Sequence, residues 1–140
     1  MTIDKNNPEL CWISLILRVA MASLFGVAAV YKFMMGFDKM AAMIIGMFKD
    51  TFLPVWLVTP YAYGITFAEA LIAVWLLVGV KLRAAWIFTA FVSMSLAFGM
   101  VVVKQGTTAS ENYVYMLMAC AGLYFSRYDG CVPGGCGCKK

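Results

Sequence analysis

Histidine is absent from the 140 residues, and only seven acidic side chains stand among them. Without imidazole the chain loses the commonest metal ligand and general base, and with it ordinary bis-His haem ligation between helices. Charge of either sign is scarce: 13% of residues are charged and 64% hydrophobic, with a mean hydropathy of +0.85. A soluble domain is about half apolar and a quarter charged, so the solvent for most of this chain is lipid. The net charge of +4 does not announce nucleic acid, because Lys and Arg flank apolar runs singly or in pairs instead of clustering on one surface. No nucleic-acid partner is expected; the lipid bilayer is.

Runs of about 20 mostly apolar residues, bounded by charge or helix-stop residues, predict an all-α membrane four-helix bundle. The spans fall at about 10–35, 60–79, 82–103 and 110–126, after a leader at 1–9 and before a tail at 128–140. Thr59 can cap the second span, with Pro60 in its first turn. Ala20-Met21-Ala22 looks like a cleavage site, but Arg18 interrupts the apolar stretch and the leader contains Asp4 and Glu9, so the first span is read as uncleaved. Residues 36–59 are too many for a tight turn and too apolar for a solvated loop. Met40, Met43, Ile44, Met47 and Phe48 recur there at helical spacing, which predicts an amphipathic helix in the interface. Four spans put both termini on one side, and the balance of Lys and Arg in the loops makes that side cytoplasmic. No internal repeat is evident.

A charge deep in a membrane costs at least about 2.5 to 3.5 kcal/mol, so Arg18, Lys32 and Glu69 are site candidates. At helical spacing Cys11, Ser14, Arg18, Ala22, Phe25, Ala29 and Lys32 share one stripe of the first span; Ala62, Thr66, Glu69 and Ala73 share one of the second. Small residues on both stripes make these the interhelical faces. Antiparallel packing sets Glu69 between the depths of Arg18 and Lys32, and either cation can partner it. Two readings stay open: a buried pair that fixes register, or a proton relay and acceptor for a quinone-like ligand. In the later spans Ser93, Ala97 and Met100 form one stripe and Tyr113, Leu117, Cys120 and Tyr124 another, both read as packing faces, with Cys120 a buried inert thiol.

After Arg127 the chain carries Cys131, Cys136 and Cys138 on a Gly-rich leash beside Lys139 and Lys140. Nearby lysines favour thiolate. Cys136 and Cys138 can form an easily reduced disulfide or carry a persulfide, with Cys131 resolving. The alternative is metal: three thiolates hold Cu(I) or three corners of a zinc or iron-sulfur site, with Cys11 a candidate fourth ligand. A disordered tail with incidental cysteines is the plainest account. The methionines around Met40 can bind Cu(I), but are read as packing.

Leu17-Arg18-Val19-Ala20, Leu24-Phe25-Gly26 and Tyr31-Lys32-Phe33 resemble the first span of DoxX-like membrane proteins, in which an Arg near the start and a Lys near the end flank a Leu-Phe. Phe52-Leu53-Pro54, Phe67-Ala68-Glu69 and Leu76-Leu77-Val78-Gly79-Val80-Lys81-Leu82-Arg83 resemble that family's second-span Glu and Leu-Leu-x-Gly close. The match covers most of 10–127 and is closest to the MauE/DoxX redox-associated branch. The resemblance implies a four-helix bundle of a bacterial or archaeal cytoplasmic membrane, tied to thiol or sulfur oxidation and in some members to quinone. The Cys-rich tail departs from the plain pattern. The function expected is a redox-associated membrane component, a subunit of a quinone-linked thiol or sulfur oxidoreductase. It works with a redox or sulfur-carrying partner protein, Arg18, Lys32 and Glu69 lining the bundle site and the tail thiols taking up sulfur. The rivals are a non-catalytic assembly or anchoring subunit, within a homo- or hetero-oligomer, and soft-metal handling through the tail.

Overall fold

In the computed structural model the described residues are 8–128, together with the backbone of 131–132 and 135–136. Among them are five helices: α1 (Pro8–Met35), α2 (Phe37–Phe48), α3 (Val55–Val78), α4 (Leu82–Val102) and α5 (Gly106–Phe125). A two-stranded hairpin follows, β1 (Cys131–Val132) and β2 (Gly135–Cys136). Three helices, α1, α3 and α4, are long and apolar enough to cross a membrane. Their outward faces carry exposed Ile16, Val27, Met34, Leu71, Val74, Leu77 and Phe91, a surface suited to hydrocarbon and not to water. The chain is therefore an integral, multi-pass membrane protein. The expected fourth span is a helix, α5, but its Asn, Ser, Thr and Glu residues keep it out of the class apolar enough to cross by composition.

The helices pack side by side, α1 against α3 and α5, and α4 against α3 and α5. Short connections make neighbours antiparallel. Gly79 ends α3 in the left-handed conformation (φ 78°), and its N–H bonds the Trp75 carbonyl at 3.0 Å. The Trp75 indole N–H donates to the Val80 carbonyl at 2.7 Å, closing the turn. The core gathers Met21, Phe25, Ile72, Leu76 and Trp86 between the four long helices.

Two expectations need correction here. The second long helix begins at Val55, behind Pro54, so Thr59 does not cap it: its hydroxyl donates back to the Val55 carbonyl at 2.8 Å. Pro60 sits inside the helix, where it removes the donor for the Trp56 carbonyl. On α5, Tyr113, Leu117, Cys120 and Tyr124 are all exposed, and the helix packs through Ala109, Ala119 and Gly122 instead. A Cβ on Gly122 would lie 2.5 Å from the Trp86 ring, so the small residue lets α5 settle onto that indole. Cys120 accordingly faces outward rather than lying buried.

Candidate functional site

The stripes read from the sequence on the first two long helices are the buried ones. On α1, Ser14, Arg18, Ala22, Phe25 and Ala29 are buried and Lys32 half-buried; on α3, Ala62, Thr66, Glu69 and Ala73 are buried. Gly26 brings the two backbones together, since a Cβ there would stand 3.6 Å from that of Ala73. This contact fixes which cation meets the acid. Lys32 Nζ donates to both Oε1 and Oε2 of Glu69 at 2.6 Å, with side chains 16% and 4% exposed. Lys32 lies in the last turn of α1, where the carbonyl end of the helix favours a cation.

Arg18 goes elsewhere. It lies fourteen residues, or about 21 Å of helix, from Lys32. It is buried at the other end of α3, its Nη1 3.2 Å from where a Cβ on Gly79 would be. The positive φ at Gly79 makes the turn, and its missing side chain makes room for the guanidinium at the carbonyl end of α3. The structure brings together Lys32 and Glu69 but not Arg18.

Helix α2 lies over the Lys32 end. Gly36 (φ 89°) turns the chain out of α1. The Phe37 ring then stacks on Phe67 at 5.2 Å and meets Phe33 edge-on at 4.9 Å, while the Tyr63 hydroxyl donates to Asp38 Oδ1 at 3.2 Å. Between α2, α3 and α4 is a cavity of about 280 Å³, with Lys32, Met40, Met43, Met47, Tyr61 and Met100 among its lining residues. A second cavity of about 250 Å³ shares Phe48, Tyr61 and Gly99 with the first. The Tyr61 and Ser95 hydroxyls are 3.1 Å apart at its wall. Sequence reasoning did not single out Tyr61, Gln105 or Thr108 as lining residues; Tyr61 comes from α3 and the other two from the start of α5, and no local spacing joins those segments. Thr66, already on the stripe, is buried one turn from Glu69.

The two thiols whose side chains are described, Cys11 and Cys120, are at the opposite end. Cys11 opens α1, Cys120 is near the close of α5, and the tail leaves from the same end as Cys120. In the hairpin Cys131 stands opposite Cys136; Cys138 lies outside the described residues. Among the described residues no three His, Cys, Asp or Glu side chains gather to hold a metal ion.

A family model described as methylamine utilisation protein MauE matches residues 10–112, well over half of the chain. No curated protein matches, and no solved structure does.

Proposed function

Since the chain belongs to the MauE family, we propose that it is a redox-associated membrane component that works with a partner protein in oxidising thiols or sulfane sulfur. The observation that carries this reading is the Lys32–Glu69 pair, a charged couple kept inside an apolar bundle beside a cavity. A charge at such depth costs at least about 2.5 to 3.5 kcal/mol and is a site hypothesis by default, and the family that matches is described by methylamine utilisation. In the proposed step two thiols on the partner become one disulfide. The two electrons and two protons released reduce one lipid-soluble acceptor of the quinone class to its quinol.

Cys11 and Cys120 lie toward the end of the bundle away from Lys32, so the thiols that feed an acceptor there are taken to belong to the partner. The tail is a separate thiol-exchange station. Directly opposed residues of an antiparallel pair have Cα atoms about 4.5 to 5.5 Å apart, inside the range of about 4.4 to 6.8 Å that a disulfide spans. The hairpin register therefore favours Cys131 with Cys136 over Cys136 with Cys138 as the pair that opens and closes. Exchange with a partner dithiol conserves electrons: one disulfide is broken and one is formed. Helix α5 is proposed as the fourth crossing, held by its packing on α4, with both termini cytoplasmic.

The test is to trap the partner. Cys136→Ser removes the resolving thiol, so Cys131 should accumulate in a mixed disulfide that a non-reducing gel resolves and mass spectrometry identifies. Unchanged partner oxidation with all three tail cysteines changed to Ser would remove the tail from the mechanism. Unchanged oxidation in membranes lacking the whole chain would remove the function.

A further inference from the structure

The two cavities beneath α2 have a shape and a chemistry that select a ligand. The first is bordered by thioethers and carries one strong donor. Lys32 Nζ has three N–H groups, and the two Glu69 oxygens take two of them. The third is left for a group in the cavity, which Lys32 lines and Glu69 does not. A cation is disfavoured beside an ammonium, whatever the affinity of thioethers for soft metals. A carboxylate is disfavoured too, because Lys32 is already neutralised and a second anion would share it with Glu69 in an apolar setting. What remains is a neutral acceptor on an otherwise apolar body, and a carbonyl, the acceptor group of the electron acceptor proposed above, meets that description.

The second cavity extends that body. Its walls include Leu53, Leu57, Val58 and Phe98, and Phe48 lines both spaces, its ring edge 3.3 Å from where a Cβ on Gly99 would be. The absent side chain at position 99 leaves Phe48 its place there. At about 280 Å³ the first space is slightly smaller than the ~300 Å³ at which pockets for drug-sized molecules begin, so it suits one substituted ring. The second suits a hydrocarbon tail.

We infer that the cavity under α2 binds the ring of a lipid-borne quinone, with Lys32 donating to a ring carbonyl and the tail passing Phe48 into the neighbouring space. This rests on the lipid-soluble acceptor of the reading above and gives it a location. The thioethers of Met40, Met43, Met47 and Met100 supply an adaptable, polarisable surface for a flat ring.

The experiment uses the full chain in lipid nanodiscs, without partner, and a decyl-substituted benzoquinone carrying a photoreactive azide. Labelling should saturate and map to α2 and to the α3 segment around Tyr61. Lys32→Met should weaken binding at least about tenfold, the loss of one charge-assisted hydrogen bond. Met100→Trp, which fills the cavity and keeps the ion pair, should abolish it, while Ser23→Leu on the exposed face of α1 should leave it unchanged. A long-chain fatty acid, or an alkylbenzene of equal length, should fail to displace the probe. Equal binding to Met100→Trp, labelling confined to other helices, or displacement by the fatty acid would overturn the assignment. Binding intact with no thiol-dependent turnover would instead count against the redox reading and leave the site standing; turnover intact without binding here would do the reverse.

Discussion

Changing Lys32 to Met strands an acid in the middle of the protein. The Met side chain keeps most of the volume of the Lys stem but none of its donors, and Glu69, 4% exposed, would lose the ammonium that both its oxygens contact at 2.6 Å. Breaking a buried pair by removing one partner costs about 3 to 5 kcal/mol, against at most about 1 kcal/mol for an exposed pair. For a chain of this length each kcal/mol moves the unfolding midpoint by about 3 °C, so Lys32→Met should lower it by roughly 10 to 15 °C. Glu69→Leu alone should be costly for the mirror-image reason. The double change Lys32→Met with Glu69→Leu should restore the midpoint to within a few degrees, since an apolar replacement of a buried pair is often neutral. The assay is thermal unfolding followed by circular dichroism in one detergent, run as a double-mutant cycle. Single changes costing no more than a surface pair, or a double whose cost equals the sum of the singles, would refute the claim that these charges depend on each other.

Gly122→Ala should destabilise by about 1 to 3 kcal/mol, because the new Cβ meets the Trp86 ring at 2.5 Å, whereas Gly106→Ala, with nothing within 4 Å, should be near neutral in the same melt. Gly79→Ala should cost about 1 kcal/mol or more through its positive φ and its closeness to Arg18, read as a lower unfolding midpoint. Cys120→Leu should leave the midpoint nearly unchanged, and a loss of about 1 to 3 kcal/mol, as for an overpacked core, would contradict the outward placement of Cys120. Peptide mapping after alkylation without reductant should link Cys131 to Cys136; a Cys136–Cys138 link would reject the pairing drawn from the hairpin register.

The parts of the fold that could be read from the sequence are those where lipid imposes a rule. Three apolar helices and the buried stripes of α1 and α3 follow from hydropathy and from the 3.6-residue repeat, because small and polar residues turn inward when the outside is hydrocarbon. The partner of Glu69 could not be read. Arg18 and Lys32 are on one stripe, and the choice depends on how far α3 slides along α1, which the Gly26–Ala73 approach and the space at Gly79 decide. The start of α3 is ambiguous in the sequence because Pro54 and Pro60 both suit the entry to a helix, and the entry is at Pro54. On α5 the larger residues Tyr113, Leu117 and Tyr124 mark the outward face, and the packing signal is in Ala109, Ala119 and Gly122. The cavity was invisible, since α2, α3, α4 and the first turns of α5 each supply part of its wall.

The most direct test of the account follows thiol-dependent quinone reduction in membranes containing the chain and its partner, comparing wild type with the Lys32→Met, Glu69→Leu double variant. The account predicts that the variant folds at nearly the wild-type temperature and yet loses turnover, because the donor beside the cavity is gone. Full turnover in that stably folded variant would show that the buried pair is a structural brace and that the chemistry is done elsewhere.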